Sequence, residues 1–325
     1  MCGKHVHNMT QDTPHAAIHL PGGNLFDDMR IDIAASHLAL DGLEGVRQPK
    51  RLSGLIGKLR YLVNGALQKS GLQEVLVSTG VRRAWFDEFH DYWQTILAGR
   101  PLKVMDFFLL AHDYRKRQQH TRSLDWSSAQ QHVQNWQAPS ELYSTFAFVR
   151  NDALRPVIAP RFWNKLKAGD TVLEYGCSLA PFYSCYRKFY AHLGCKWTLA
   201  DIANFPFHYA KYRYRADAGV EFRTIAAEDF RDPLGSQRSY DAIVLTTVME
   251  HLDDPMHVIA YLTERLRPGG YLVFDYVISE GKGLDTPLAL AMRSECLKWV
   301  LARFDIVEGR VDVESDVPVV VARLR

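Results

Sequence analysis

The apolar residues are distributed differently in the two halves of the chain. From residue 170 onward, short apolar runs of strand length alternate with longer runs of helical periodicity. Turn signals separate them, such as Gly169-Asp170 before the first run and Asp254-Pro255 before a helix. This alternation predicts an α/β fold. We predict strands at 172–173, 197–201, 220–225, 240–245, 271–276, 304–307 and 317–324, and helices at 182–193, at 287–304 and from 255 into the segment 266–270.

The N-terminal half has a helical pattern only. Residues 52–67, 85–97 and 102–118 each place apolar side chains on one helix face. The aromatic stripe of the second run is better explained as core or as a subunit interface than as a ligand site. We therefore divide the chain into a flexible tail (1–27), a helical N-terminal domain (28–128) that is a candidate lid or dimerisation surface, and an α/β domain (129–325).

Composition and charge indicate which classes of protein this sequence fits. The chain has 325 residues, 47% hydrophobic and 23% charged, which is ordinary for a globular protein. A net charge of +2, without a strong basic bias in either half, disfavours nucleic acid as a partner. No apolar run approaches the ~20 residues of a membrane helix, and the first residues lack an apolar targeting stretch. Five cysteines without a Cys-x-x-Cys pair indicate reduced thiols, so we expect a cytoplasmic protein.

The candidate chemistry begins where the first strand ends. Glu174 closes that strand, and the small residues Gly176, Ser178 and Ala180 follow at alternate positions. Small side chains let the backbone approach a ligand and let the next helix pack against the strand. Asp201 ends the second strand 25 residues after Gly176, where nucleotide-binding folds place a carboxylate for ribose hydroxyls.

The order of the motifs resembles that of the class I S-adenosylmethionine-dependent methyltransferases, over residues 150–325. The motifs are Glu174 with its small-residue loop, Asp201, the Tyr-Asp at 240–241, the Glu-His-Leu at 250–252 and the Leu-Arg-Pro-Gly-Gly at 266–270. The resemblance implies a doubly wound, Rossmann-like, seven-stranded sheet with its last strand antiparallel. The chain departs from the family at Ser178 and Ala180, where glycines are usual, and at Ala226, where an acid often stands.

The resemblance also implies that the cofactor is S-adenosyl-L-methionine. Glu174 is then expected to organise the loop and the amino end of the methionyl part, and Asp201 to accept from both ribose hydroxyls. One of Glu228 and Asp229 is expected to contact the adenine amino group. The expected cofactor-binding residues are Glu174, Gly176, Ser178, Ala180, Asp201, Ile202, Glu228, Asp229, Thr246 and Thr247.

The residues for the methyl acceptor are less specific in sequence. His251 is the candidate general base, since an ordinary histidine pKa of about 6.5 suits proton removal at neutral pH, and a structural role is the alternative. In the family, helices before the first strand often lie across the pocket. The catalytic candidates are His251, Glu250 and Tyr276, and the substrate candidates are Trp136, Tyr143, Arg150 and Asp275, with no metal site expected.

These expectations combine into a methyltransferase whose small-molecule acceptor, an O, N or S nucleophile, is enclosed between the two halves. Methyl transfer mainly requires that nucleophile and methyl carbon be held in line. Two alternatives remain open. One is a non-catalytic cofactor-binding scaffold that recruits a partner through the helical half. The other is a nucleic-acid methyltransferase, disfavoured by the balanced charge and by the lack of an Asn/Asp-Pro-Pro-Tyr motif after the fourth strand.

Overall fold

The computed structural model describes residues 85–99, 101–102, 124–138, 160–235, 239–278 and 284–325, with single positions in 59–72 and in 141–149. The strands are β1 (Thr171–Tyr175), β2 (Lys196–Ile202), β3 (Val220–Ile225), β4 (Tyr240–Leu245), β5 (Leu266–Tyr276), β6 (Phe304–Glu308) and β7 (Val317–Leu324). The helices are α1 (Trp85–Thr95), α2 (Ala129–Gln137), α3 (Pro160–Trp163), α4 (Pro181–Phe189), α5 (Phe205–Tyr214), α6 (Pro255–Glu264) and α7 (Pro287–Arg303).

The seven strands of the described chain form one mixed sheet in the order β3-β2-β1-β4-β5-β7-β6. Strands β1 to β5 pair in parallel, and β7 lies antiparallel between β5 and β6. The predicted Rossmann-like sheet with an antiparallel last strand is therefore confirmed. The strand order reverses between β1 and β4, and ligands of open α/β sheets bind outside the carboxyl ends of the strands at such a point.

Helices cover both faces of the sheet and enclose two apolar cores. One core lies between the sheet and helices α6 and α7, and the other between the sheet and helices α3, α4 and α5. The cysteines at 177, 185, 195 and 296 are buried and free. Among the described residues, no helix combines the length and the apolar character needed to cross a membrane.

Three helices begin with the same local chemistry. The side chains of Asn204, Asp254 and Thr286 each accept a hydrogen bond from the backbone N–H three residues further on. A proline follows in the first turn of each helix. A polar cap satisfies a backbone donor that the helix leaves free, and proline loses nothing there because it has no N–H.

Two predicted boundaries are wrong. Helix α6 ends at Glu264, and the Leu-Arg-Pro-Gly-Gly segment at 266–270 begins strand β5 instead of ending the helix. Leu266 pairs with Tyr240, and a shift in register before Ala242 accommodates the proline and glycines in the strand. The predicted helix at 182–193 divides into α4 and a short 3-10 turn (Ala191–Leu193) that closes at Gly194.

Helix α1 packs against α5 through its aromatic stripe. Phe89, Tyr92 and Trp93 have no exposed surface, and the Tyr92 hydroxyl lies 2.7 Å from Nδ1 of His208. The ring of Phe89 meets the ring of Tyr209 edge to face at 5.2 Å. The stripe is therefore core, as its periodicity indicated.

The first predicted helical run fits its expected packing less well. Leu59, Leu62 and Val63 are helical, but their exposed fractions are 62%, 64% and 45%. An apolar period specifies which residues share a helix face, and it does not specify what covers that face. The tail 1–27 and nearly all of the predicted helix 102–118 lie outside the described residues, so the division into domains stays a prediction.

Candidate functional site

Glu174 joins the end of β1 to the start of α4. Its Oε1 accepts from the backbone N–H of Phe182 at 3.0 Å, and its Oε2 accepts from that of Tyr183 at 2.9 Å. A carboxylate at a helix N-terminus satisfies free donors and interacts favourably with the helix dipole. The side chain is 2% exposed. Glu174 therefore closes the loop 176–180 between strand and helix.

The backbone of this loop has an unusual conformation. Gly176, Ser178 and Ala180 have φ angles of 62°, 51° and 52°, so Ser178 and Ala180 adopt the left-handed conformation that glycine favours. The two departures from the family sequence thus keep the glycine geometry at a cost of about 1–2 kcal/mol each. At Gly176 a side chain does not fit, because a Cβ atom would lie 2.3 Å from Cγ2 of Val248.

Asp201 lies at the end of β2, directly beside the loop. Its Oδ2 accepts from the Ser178 N–H at 2.7 Å, and its Oδ1 accepts from the Asn204 side-chain amide at 3.0 Å. Burial raises the pKa of Asp201 to about 7 despite these donors. A carboxylate has about four acceptor positions, so two more donors can still bind.

A cavity of about 610 Å³ opens beside these residues, at the carboxyl ends of β1, β2 and β4. This volume is within the range of ~300–1,000 Å³ that is typical of small-molecule sites. Nine of the predicted site residues line it: Glu174, Gly176, Ser178, Asp201, Ile202, Thr246, Thr247, Trp136 and His251. Ala180 is fully buried behind the loop and is not part of the lining.

At the end of β3 the cavity wall is apolar. Ile225 and Phe230 line the cavity there, whereas the predicted adenine contacts, Glu228 and Asp229, are absent from the lining among the described residues. The Asp229 carboxylate lies 3.9 Å from the Arg223 guanidinium instead. Both acids belong to a 3-10 turn (Ala227–Asp229) that contacts helix α2. The structure thus places neither acid at the position that the resemblance implied.

The loop after β4 is held from beneath by Asp275. Thr246 and Thr247 line the cavity, and Thr247 has a φ angle of 56°, which is rare for a β-branched residue. The Asp275 carboxylate accepts a hydrogen bond from the Thr247 backbone N–H and is outside the described lining. Burial raises the pKa of Asp275 to about 6. The predicted substrate residue therefore supports the loop that faces the cavity.

His251 lines the cavity and is held in one orientation. Its Nδ1 lies 3.0 Å from the carbonyl oxygen of Leu284, and its ring meets the ring of Trp136 edge to face, with 5.3 Å between centroids. A carbonyl oxygen can only accept, so Nδ1 carries the proton of the neutral ring and Nε2 carries the lone pair. Burial lowers the pKa of His251, which keeps the ring neutral at pH 7.

Glu250 and Tyr276 lie behind the cavity wall. Glu250 is 1% exposed, its Oε1 lies 3.8 Å from Nε2 of His251, and its Oε2 has no hydrogen-bond partner among the described residues. Burial raises the pKa of Glu250 to about 8. The Tyr276 hydroxyl donates to the carbonyl oxygen of Ala289 inside the core. Of the three catalytic candidates, only His251 lines the cavity.

Helix α2 covers the cavity with residues one turn apart. Trp136 was predicted at this site, and His132 was not, although both line the cavity. Residues four apart share a helix face, so the position of Trp136 was the signal that could have identified His132. Tyr143 and Arg150 lie outside the described residues, so their roles stay predictions. Within the described ranges, no group of His, Cys, Asp or Glu side chains could hold a metal ion.

Comparisons with known proteins agree with the motif order. A family model described as a methyltransferase domain matches residues 143–305. Curated relatives named ubiquinone biosynthesis O-methyltransferase, from Pseudomonas savastanoi pv. phaseolicola and from Shewanella pealeana, are each 29% identical over 111 residues. Those matches cover 34% of this chain and 45% or 44% of the relative. The chain thus spans less than half the length of the curated relatives it matches.

Solved structures show distant similarity. One is a SAM dependent methyltransferase from Aquifex aeolicus, 17% identical, with a TM-score of 0.37 over 51% of this chain and 87% of that chain. Another is an S-adenosylmethionine dependent methyltransferase, described as putative, from Listeria monocytogenes, 13% identical, with a TM-score of 0.36 over 51% and 97%.

Proposed function

The chain belongs to the methyltransferase-domain family, within the class I S-adenosylmethionine-dependent superfamily, and from that membership we propose that it methylates a hydroxyl oxygen of a small, flat organic molecule. The cofactor would lie at the ends of β1 and β2, and the acceptor beneath Trp136 and beside His251. The observation that carries the choice of a hydroxyl acceptor is the orientation of His251, fixed by the Leu284 carbonyl.

The residues at the ends of β1 and β2 suit S-adenosylmethionine. That cofactor supplies a methyl carbon bound to a positively charged sulfur. The acceptor positions left on Asp201 suit the two hydroxyl donors of a ribose. The backbone of the loop 176–180 is left-handed at three positions, and the missing side chain of Gly176 lets the loop pack closely against Val248 at the cavity. Glu174 holds this loop and adds a negative charge that suits the cofactor's amino group.

His251 is suited to remove the proton of a hydroxyl group. Its Nδ1–H is committed to the Leu284 carbonyl, so its basic nitrogen is Nε2. The lowered pKa keeps Nε2 unprotonated at neutral pH. When the acceptor oxygen takes the methyl group and the S–CH3 bond of the cofactor breaks, the hydroxyl proton would pass to Nε2, and Oε1 of Glu250 lies 3.8 Å from that nitrogen. Glu250 is then a positioning residue. An acceptor with a free lone pair, such as a thioether, would leave this arrangement unused.

The walls of the acceptor end favour a flat apolar molecule. Trp136, Leu252 and Leu284 line it, together with Phe148. Aromatic and aliphatic walls with few polar groups are typical of sites for small organic ligands. The relatives that are named O-methyltransferases of ubiquinone biosynthesis support a hydroxylated ring as acceptor.

The test is methyl transfer from labelled S-adenosylmethionine to a panel of phenols, catechols and hydroxyquinones, with thiols, amines and RNA alongside. We expect labelled methyl ethers of ring hydroxyls. Cofactor binding without transfer to any compound would support the scaffold alternative, and labelled RNA would support the nucleic-acid alternative. Labelled thiols or amines alone would contradict the assignment of oxygen.

The role of His251 is tested by His251→Asn, in which the side-chain amide can still donate to the Leu284 carbonyl. We expect kcat at pH 7 to fall by about 10²–10⁴-fold, the usual contribution of a general base. Binding of S-adenosylhomocysteine should change little. Wild-type kcat, measured with saturating cofactor, should persist below pH ~6.5, because burial lowers the histidine pKa. A variant with full turnover would leave His251 with a structural role only.

A further inference from the structure

The end of the cavity beyond Asp201 has apolar walls that suit a flat ring, but it offers few polar groups that could bind the polar edge of such a ring. Ile202 and Ile225 are neighbours in the β2–β3 register, and both line the cavity with Phe230. The family acid is replaced by Ala226, and neither Glu228 nor Asp229 is in the described lining. If Asp201 holds the ribose, as in the proposed function on which this inference rests, the base attached to that ribose extends over these apolar residues.

His132 is a buried polar side chain at this end. It is 6% exposed, lines the cavity, and meets the ring of Phe230 edge to face at 5.5 Å and 89°. Trp126 packs on it at 5.0 Å. Its Nδ1 is buried without a hydrogen-bond partner among the described residues. A buried nitrogen without a partner is destabilising, so a ligand that supplies the partner gains binding free energy.

The neighbouring polar groups are already paired. The Arg231 guanidinium lies 3.2 Å from the Asp254 carboxylate, and Nε2 of His257 lies 2.9 Å from the Arg231 carbonyl oxygen.

Burial, with a smaller effect from His251, lowers the pKa of His132 to about 4. At neutral pH its ring therefore carries one donor and one acceptor nitrogen, as a base edge with an amino group and a ring nitrogen requires.

We infer that His132 recognises the adenine of the cofactor, by a hydrogen bond to the amino-bearing edge of the base while Phe230 packs against the ring. A residue of helix α2 then provides the contact that acids after β3 were expected to provide. Helix α2 then contacts both the acceptor, through Trp136, and the base, through His132, because these two side chains lie one turn, about 6 Å, apart on one helix face.

The discriminating experiment is calorimetry on the full-length protein with S-adenosylhomocysteine and with S-inosylhomocysteine, in which an oxo group replaces the amino group. We expect wild type to prefer the adenosyl compound by about 10-fold. His132→Phe keeps the ring packing and removes the nitrogens. It should weaken adenosyl binding by about 5- to 10-fold, the effect of one hydrogen bond, and should abolish most of the preference.

Two further variants keep the result interpretable. His132→Asn retains a donor and an acceptor and should keep part of the preference, which a purely structural role would not predict. Gln134→Ala changes an exposed residue of the same helix and should leave both affinities unchanged. A folded His132→Phe protein with the wild-type preference would overturn the role of His132 while leaving the proposed function intact. Wild-type protein that binds neither compound would overturn the proposed function, and this inference with it.

Discussion

The ring of Trp136 meets the ring of His251 edge to face, with 5.3 Å between their centroids. This contact joins helix α2 to the loop that follows β4. One turn earlier, His132 joins the same helix to Phe230 after β3. A single short helix therefore joins the end of the cavity proposed for the base to the end proposed for the acceptor, and changes to it should separate into two kinds of effect.

The first prediction concerns the acceptor end. Trp136→Ala should raise the KM for the acceptor by roughly 10-fold, since the loss of an aromatic contact of about 1.5 kcal/mol corresponds to that ratio. It should lower kcat as well, because water then enters the site. Trp136→Phe keeps an aromatic ring and is the matched control. Steady-state kinetics with S-adenosylhomocysteine titrations provide the check. A rise in the dissociation constant of that compound alone would place Trp136 at the cofactor instead.

The second prediction concerns Asp201. Asp201→Asn keeps an acceptor for the Ser178 N–H but removes the charge. Binding of S-adenosylhomocysteine should weaken by about 10- to 100-fold, the value of hydrogen bonds to a charged group. Burial raises the pKa of this carboxyl to about 7. Ribose hydroxyls bind best to the ionised form, so wild-type affinity should fall as pH drops from 8 to 6. The variant should lack this dependence, and a wild-type affinity that is flat with pH would contradict the assignment.

The third prediction concerns the close approach of Gly176 and Val248. Gly176→Ala should lower the free energy of unfolding by about 2–3 kcal/mol, from the left-handed backbone and the collision with Val248. Adding Val248→Ala should restore part of that loss. Gly194→Ala is the control, because Gly194 also has a positive φ angle, of 60°, but open space around it. Urea unfolding measures all four proteins. Equal losses of unfolding free energy in Gly176→Ala and Gly194→Ala would show that the structure accommodates the added methyl group beside Val248 without cost.

The fourth prediction concerns Glu250. Its pKa is about 8 in the folded protein, above its ordinary value, because burial disfavours the charge. The stabilisation from keeping it protonated is complete below pH ~4 and is lost as pH rises towards 8. Glu250→Gln cannot ionise, so its stability relative to wild type should increase between pH 5 and pH 8, by at most about 1.4 kcal/mol per pH unit. Glu264→Gln, at an exposed glutamate, is the matched surface control. A pH-independent difference between Glu250→Gln and wild type would mean that Glu250 is ionised throughout.

The sequence was most informative where the backbone itself forms the site. The Glu174 loop and Asp201 were predicted because a strand that ends in an acid before small residues has one local geometry in this fold. Side-chain direction was harder to predict. Asp275 and Tyr276 are neighbours at the end of β5, and both side chains lie in the interior. The pattern of a buried strand does not show which of its residues faces the cavity, so these two positions were wrongly expected to line it.

His132 illustrates a different limit. Nothing in the α/β pattern links residue 132 to β3, because the contact depends on how a separate helix packs over the sheet. The sequence alone also favoured Glu228 or Asp229 for the adenine, by position. The short 3-10 turn directs the Asp229 carboxylate towards Arg223, and a turn of this kind is set by tertiary contacts as much as by local sequence.

The packing of α1 on α5 has a consequence for synthesis on the ribosome. Tyr92 and His208 are hydrogen-bonded partners 116 positions apart in sequence. Translation at about 5–20 residues per second separates their emergence by roughly 6 to 23 seconds. During that time the aromatic stripe of α1 has been made and its partner helix has not. The nascent chain therefore exposes the α5-facing rings of Phe89 and Tyr92 to chaperones and to neighbouring nascent chains until the β2–α5 segment arrives to cover them.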